Sequence, residues 1–220
     1  MSRFFHRLAF VVAPFLAACG DDESNEWAGH TYALNIGERS WREPQGAIND
    51  IKDYVPQFLL EVQGESPDAF EVLMATGKDD EQDPCNPTAS LPGSPNAVGP
   101  SEFPLRIEHL REDIVVHATL HDWKLTEALP VGGKASETGS FSATLDGRDV
   151  APLFTQIDSD PTPDELCAAL EQLSPPAPCE ACPHDGEVYC LTLTAENVAL
   201  TEVTGTTITE IDEATDPSCE

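Results

Sequence analysis

Apolar and polar residues alternate with a period of two along most of the chain beyond residue 30, as they do in half-buried β-strands. In one such stretch, Phe103, Leu105 and Ile107 alternate with Pro104 and Arg106. The same pattern predicts strands at 30–36, 58–62, 70–74, 103–107, 114–120, 141–145, 188–194, 198–203 and 206–211. Eight or nine short strands predict a mainly β, antiparallel domain, either a barrel or a sandwich.

Turn residues suggest how these strands are connected. Residues 57–76 and 103–120 are each predicted to form a hairpin, and Asp146-Gly147 is a strong turn signal. Residues 78–100 are rich in proline and are expected to form a long loop instead. Cys85 lies in this segment, so a disulfide is expected to hold it in place.

One short helix is predicted, near residues 163–173. Thr162 is a natural N-cap, Pro163 occupies the first helical position, and Glu165 completes a capping box. The apolar face of the helix consists of Leu166, Leu170 and Leu173.

The first nineteen residues have the composition of a secretory signal. Arg3 and Arg7 precede an apolar segment, Leu8 to Ala18, that ends in small residues before Cys19. The segment holds eleven residues, whereas a transmembrane helix needs about 20. We therefore expect 1–18 to be a signal peptide, 19–29 a tether, and 30–220 a single β-rich domain.

The sequence Leu16-Ala17-Ala18-Cys19 resembles the lipobox of bacterial lipoproteins. The resemblance implies cleavage before Cys19, a diacylglycerol thioether on its sulfur, and usually a further acyl chain such as palmitate on the new amino group. It also implies that the protein is located at the outer membrane, facing either the periplasm or the cell surface, because Gly20 and not aspartate follows the cysteine. The alternative is an ordinary cleaved signal with an incidental cysteine.

The mature chain would be strongly acidic. Removing residues 1–18, which contain Arg3 and Arg7 and no carboxylate, takes the formal charge from −29 to −31. A polyanion repels nucleic acid and anionic lipid headgroups, so the expected partners are the membrane reached through the lipid anchor and an envelope protein.

Six cysteines remain in the mature chain beyond the lipidated one. In an oxidising compartment an even number predicts three disulfides. Sequence spacing favours Cys167–Cys179, Cys182–Cys190 and Cys85–Cys219, and the swapped pairs Cys167–Cys182 and Cys179–Cys190 remain an alternative.

Candidate chemistry beyond the disulfides is sparse in the sequence. Cys179, Cys182, His184 and Cys190 are possible zinc ligands, but oxidation competes for the thiolates. His117 and His121 are expected on one face of a strand, where a solvent-facing pair is favoured over a metal site. The acidic runs 79–83 and 158–160 are interpreted as solvated charge and not as calcium ligands. No catalytic residue, metal or cofactor is predicted.

The favoured function is a non-catalytic binding or structural role in the envelope. One alternative is a lipocalin-like carrier of a small apolar ligand, since Trp27-Ala28-Gly29 resembles, in reverse order, the Gly-x-Trp motif of lipocalins. A cavity lined by Tyr32, Phe58, Leu60 and Phe141 would favour that carrier. A second alternative is an envelope hydrolase, which would need carboxylates or histidines converging in a cleft.

The lipobox predicts that Cys19 is the membrane anchor. Replacing it, Cys19→Ser, removes the sulfur on which the lipobox predicts the thioether, so we expect unprocessed or released protein. Incorporation of radiolabelled lipid and membrane fractionation measure both effects. Equal labelling and equal retention of the variant would contradict the anchor.

Overall fold

A computed structural model describes residues 25–36, 40–47, 52–108, 114–131, 136, 138–155, 157–158, 160–212 and 219. The predicted signal peptide, Cys19 and the first part of the tether lie outside these residues. The strands are β1 Thr31–Asn35, β2 Trp41–Glu43, β3 Gln57–Gln63, β4 Phe70–Lys78, β5 Glu81–Gln82, β6 Ala89–Ser94, β7 Ala97–Glu108, β8 Val115–Thr126, β9 Gly139–Asp146, β10 Glu180–Ala181 and β11 Val188–Glu202. The helices are α1 Gly147–Val150 and α2 Pro163–Glu171, with short 3-10 turns at Lys52–Tyr54 and Ala151–Leu153.

The domain is an eight-stranded antiparallel barrel. The strands follow the order β1-β3-β4-β6-β7-β8-β9-β11, and β11 returns to pair with β1. This last pairing closes the sheet and decides between the barrel and the sandwich that the sequence left open. The short strands β2, β5 and β10 attach to β11, β4 and β11 respectively.

Both predicted hairpins are present, as β3–β4 and β7–β8. The prediction of a structureless loop at 78–100 is wrong, because β5, β6 and the start of β7 lie within it. Proline removes a backbone donor and therefore reads as a strand breaker. In β6, however, Pro92 lies opposite Glu71 of β4, while β6 meets β7 only at Gly93 and Ser94.

The C-terminal strands also differ from the prediction. Residues 188–194 and 198–203 are not separate strands but parts of β11, which continues through an irregularity between Glu196 and Val198. Asn197 adopts a φ of 55° there, a conformation that asparagine tolerates. Residues 206–211 are not a strand, although the Ile211 backbone exchanges hydrogen bonds with Thr88.

The predicted helix is confirmed as α2, with its capping box. The Thr162 hydroxyl accepts from the Glu165 amide, and the Glu165 carboxylate accepts from the Thr162 amide. Asp146-Gly147, predicted as a turn, instead begins the additional short helix α1. Asp146 acts as its N-cap, accepting from the Arg148 amide.

The centre of the barrel is filled by four aromatic side chains. Phe58 lies 5.8 Å from Phe103, 5.9 Å from Trp123 and 6.2 Å from Phe141, measured between ring centroids. All four are at most 1% exposed. Edge-to-face contacts predominate, which is the arrangement that aromatic quadrupoles favour.

The two ends of the barrel are closed differently. At one end, which we call the entry end, Trp27 packs on Phe70 and the Asn25 amide donates to the Glu65 carbonyl. At the other, the lid end, α1 and the following 3-10 turn form a lid segment, Gly147–Phe154, which covers the barrel interior.

Three disulfides reinforce the fold: Cys85–Cys219, Cys167–Cys179 and Cys182–Cys190. This is the pairing that the sequence spacing favours, and not the swapped one. The first links residues 134 positions apart and ties the 78–100 region to the chain's end.

The aromatic centre should dominate stability. Phe58→Ala removes a fully buried ring with three aromatic neighbours, so we expect a loss of about 3–5 kcal/mol in the free energy of unfolding. The matched control is Val115→Ala on a side chain that is 43% exposed, for which we expect less than about 1 kcal/mol. Urea unfolding followed by tryptophan fluorescence measures both, and equal losses would contradict a tightly packed centre.

Candidate functional site

A cluster of charged side chains lies on the outside of the barrel at its lid end. It comprises His121, Asp146, Arg148, His184 and Asp185, and we call it the Arg148 cluster. Antiparallel register brings it together, because the end of β9 lies beside the start of β11, with Asp146 opposite Cys190. The turn between β10 and β11 supplies His184 and Asp185.

Glycine at position 147 allows this close approach. A Cβ at Gly147 would lie 2.6 Å from the Tyr189 carbonyl oxygen, closer than real contacts permit. Any side chain there would push α1 away from β11. Asp146 and Arg148 would then move away from His184 and Asp185.

The Nη2 atom of Arg148 lies among two carboxylate oxygens and an imidazole nitrogen. It is 2.6 Å from Asp146 Oδ2, 2.6 Å from Asp185 Oδ2 and 3.1 Å from His184 Nε2. The two hydrogens of Nη2 match the two carboxylate oxygens, and His184 Nε2 lies beside the same nitrogen. Nε of Arg148 also donates to Asp146 Oδ1 at 2.9 Å, which completes a bidentate pair.

The two histidines stack on each other. Their ring centroids are 4.5 Å apart with an interplanar angle of 23°. His121 Nδ1 lies 3.1 Å from a carboxylate oxygen of Glu102, while His184 Nε2 lies 3.4 Å from Oδ2 of both Asp146 and Asp185. His121 thus joins the cluster, whereas its predicted companion His117 is simply exposed on β8.

Burial and charge pairing shift the pKa values of the carboxyl groups in opposite directions. Burial by itself raises the pKa of Asp146, but the side-chain and backbone hydrogen bonds from Arg148 outweigh it and hold the pKa below its usual value. The Glu187 amide and then Arg148 lower the pKa of Asp185. Asp149 behaves in the opposite way, since burial and then the Asp146 charge raise its pKa.

The Cys182–Cys190 disulfide lies directly behind the cluster. Cys182 Sγ is 3.9 Å from Asp146 Oδ2, and both sulfurs are buried. One potential ligand atom from each of Asp146, Cys182, His184 and Cys190 lies within 4.8 Å of the others. Of the zinc ligands considered from the sequence, Cys179 is not part of this group, because it pairs with Cys167.

Sequence reasoning missed Asp146 and Arg148. They lie 36 or more residues before their partners in the β10–β11 turn, and only the register of β9 against β11 joins them. The available signal was the position of Asp146, an N-cap residue at the exact end of an alternating strand.

The barrel interior contains a small apolar cavity at the lid end. Its volume is about 20 Å³, and it lies between the lid segment, Tyr54 and the inward-facing leucines of the barrel. This volume is about that of one or two water molecules. The aromatic residues Phe58 and Phe141, considered as cavity lining in a carrier, instead pack against each other in the filled centre.

Comparisons with known proteins identify no relative. No family model, curated protein or solved structure matches the chain. Across the part of the chain that the structure describes, none of the helices has the length and apolar character required to span a membrane.

The Arg148 cluster predicts an acid-labile contribution to stability. The folded pKa of Asp146 is lowered, so its contribution is present above the unfolded value of about 3.9 and is lost as pH falls through the folded pKa. Asp146→Asn keeps the N-cap acceptor but removes the charge. We expect it to cost about 1–3 kcal/mol at neutral pH and progressively less in acid.

Asp149→Asn is the matched control, with the opposite sign. Its raised pKa means that ionisation of Asp149 opposes folding, so the variant should be more stable than the parent at neutral pH, with the difference vanishing in acid. Urea unfolding at a series of pH values measures both variants. If the free energies of unfolding of the parent and Asp146→Asn change with pH in the same way, the charge of Asp146 makes no acid-labile contribution to stability.

Proposed function

We propose that the protein is a lipid-anchored, non-catalytic binding protein of the bacterial outer membrane that contacts its partner through the outside of the barrel. The observation that carries this proposal is the filled aromatic centre, which leaves the outer surface as the place for binding. Three disulfides support a location in an oxidising compartment. The lipobox at Cys19 supports the anchor.

The position of the first described residue suggests how the barrel is presented. Asn25 lies at the entry end, hydrogen-bonded to Glu65, and it is only six positions beyond Cys19. Six such steps of the chain span at most about 20 Å, so the entry end would face the membrane. The lid end, with the Arg148 cluster, would then face away and be available to a partner.

The expected partner is an envelope protein with a cationic surface. The formal charge of −29 for the whole chain favours encounters with positively charged surfaces and disfavours nucleic acid. The large apolar side chains that are exposed in the described part of the chain are Val115, Val131 and Val188. Isolated exposed valines do not form a hydrophobic docking patch.

Site-specific photo-crosslinking in intact cells tests this arrangement. A crosslinking residue replaces Glu187 at the lid end or, as the matched control, Glu65 at the entry end, both of which are exposed. We expect a discrete protein adduct from position 187 that weakens in high salt, because salt screens surface charges. Adducts from both positions, or from neither, would contradict binding at the lid end.

A lipocalin-like carrier is the second candidate. The barrel fold is compatible with it, and two further observations favour it: the apolar cavity under the lid segment and the fully buried Trp123 Nε1, which lacks a hydrogen-bond partner among the described residues. A ligand would have to enlarge the cavity greatly, since sites for small molecules measure about 300–1,000 Å³.

Titration with an apolar fluorescent probe separates the two candidates. We expect no saturable binding, because the cavity of about 20 Å³ cannot accept such a probe without opening of the lid segment. Leu145→Phe, which fills the cavity, is the control. Stoichiometric binding by the parent that this variant weakens would establish the carrier and overturn binding by the outer surface alone.

A further inference from the structure

We propose that reduction of the Cys182–Cys190 disulfide creates a zinc site where the end of β9 adjoins the start of β11. Its ligands are Cys182, Cys190, His184 and Asp146. This inference does not depend on the proposed binding function or on the lipid anchor. It rests on the four side chains, which already surround a common point in the disulfide-bonded protein.

The distances between the ligand atoms fit a tetrahedral zinc ion. Zinc bond lengths of about 2.0–2.3 Å place a nitrogen and an oxygen ligand about 3.4 Å apart, and a sulfur and an oxygen ligand about 3.6 Å apart. His184 Nε2 and Asp146 Oδ2 are separated by 3.4 Å, and Cys182 Sγ and Asp146 Oδ2 by 3.9 Å. The two sulfurs, bonded to each other in the disulfide, must separate to about 3.8 Å.

The donor set matches the preferences of zinc. Two thiolates, an imidazole nitrogen and a carboxylate oxygen are all ligands that zinc takes in proteins. His184 also presents Nε2 to the other ligands, 3.1 Å from the Arg148 guanidinium nitrogen that a metal would displace. Burial of Asp146 and both cysteines would exclude water from three of the four ligands.

Arg148 holds the place of the metal in the disulfide-bonded state. Its Nη2 bridges Asp146 Oδ2 and His184 Nε2, the two non-sulfur ligands. A zinc ion would displace Nη2 from these atoms. Nε could keep its bond to Asp146 Oδ1, now as an outer partner that orients the ligating carboxylate.

The chemistry needs a dithiol as the reductant. A dithiol delivers two electrons and two protons, so the S–S bond breaks, two thiols form and the reductant becomes a disulfide. Zinc then binds both sulfurs as thiolates and releases their two protons. The dithiol and the zinc ion would reach the two sulfurs through the β10–β11 turn, where residues 183–187 are exposed while Cys182 behind them is buried.

The other two disulfides lack such surroundings. Within the part of the chain that the structure describes, neither Cys85–Cys219 nor Cys167–Cys179 belongs to a group of three or more metal-ligating side chains. They therefore serve as internal comparisons. Zinc binding that follows reduction should depend on Cys182 and Cys190 and not on the other pairs.

Metal titration of the purified full chain tests the proposal, with cobalt as a spectroscopic probe and zinc as its competitor. After anaerobic reduction with a dithiol, we expect one equivalent of cobalt to bind with thiolate charge-transfer bands, at least about 100-fold tighter than to the oxidised protein. His184→Ala and Asp146→Asn should each weaken binding at least about 10-fold. The double variant Cys182→Ser/Cys190→Ser should lose it.

The matched control is Cys167→Ser/Cys179→Ser, which removes a different disulfide and should bind cobalt like the parent. Equal affinity of the oxidised and reduced protein would overturn the proposal. So would unchanged binding by His184→Ala and Asp146→Asn, because thiols of an unfolded chain would bind metal without those two residues. Near-ultraviolet circular dichroism reports whether the barrel persists, and a reduced protein that neither keeps nor regains its fold with zinc would also contradict the site.

Discussion

Pairing between β1 and β11 is the interaction on which the rest of the structure depends. The two strands come from opposite ends of the domain and align Tyr32 with Glu202. Without this ladder, both strands would expose unpaired backbone groups along a sheet edge. With it, the eight strands form a continuous wall, and the aromatic centre is sealed from water on every side.

The length of β11 makes this closure possible. Residues 190–198 pair with β9 and residues 199–202 with β1, and the irregularity at Asn197 lies near the end of the pairing with β9. Because β11 extends beyond β9, its last residues are free to pair with β1. The same register that places Asp146 opposite Cys190 builds the Arg148 cluster. A slip of one residue would turn either side chain to the other face of the sheet.

Local patterns predicted most strands, both hairpins and the capped helix, because alternation, turn residues and caps are encoded by neighbours in sequence. The strand β6 escaped prediction because its proline is a strand-breaking signal, and only the pairing with β4 in the folded sheet defines it as a strand. Closure could not be predicted either, because it depends on contacts such as His30 with Glu202, 172 residues apart. The same limit applies to the cluster. Its cysteines and His184 are close in sequence, but Asp146 joins them only through the folded register.

Burial of Asp146 explains why the lid end of the barrel requires a cation where β9 adjoins β11. The carboxylate is 4% exposed, and an ionised group at such a position is tolerated only when it is paired. The chain has few positive charges to offer, with 11 Lys and Arg against 40 Asp and Glu. In the disulfide-bonded protein Arg148 provides the cation, and its bidentate contact with Asp146 outweighs the cost of burial. Reduction would place two thiols beside the same carboxylate. Ionised as metal ligands, they and Asp146 would carry three negative charges, more than one guanidinium neutralises. A divalent ion at the same position would balance more of this negative charge. The redox state of one disulfide would therefore decide whether Arg148 or a metal ion pairs with Asp146.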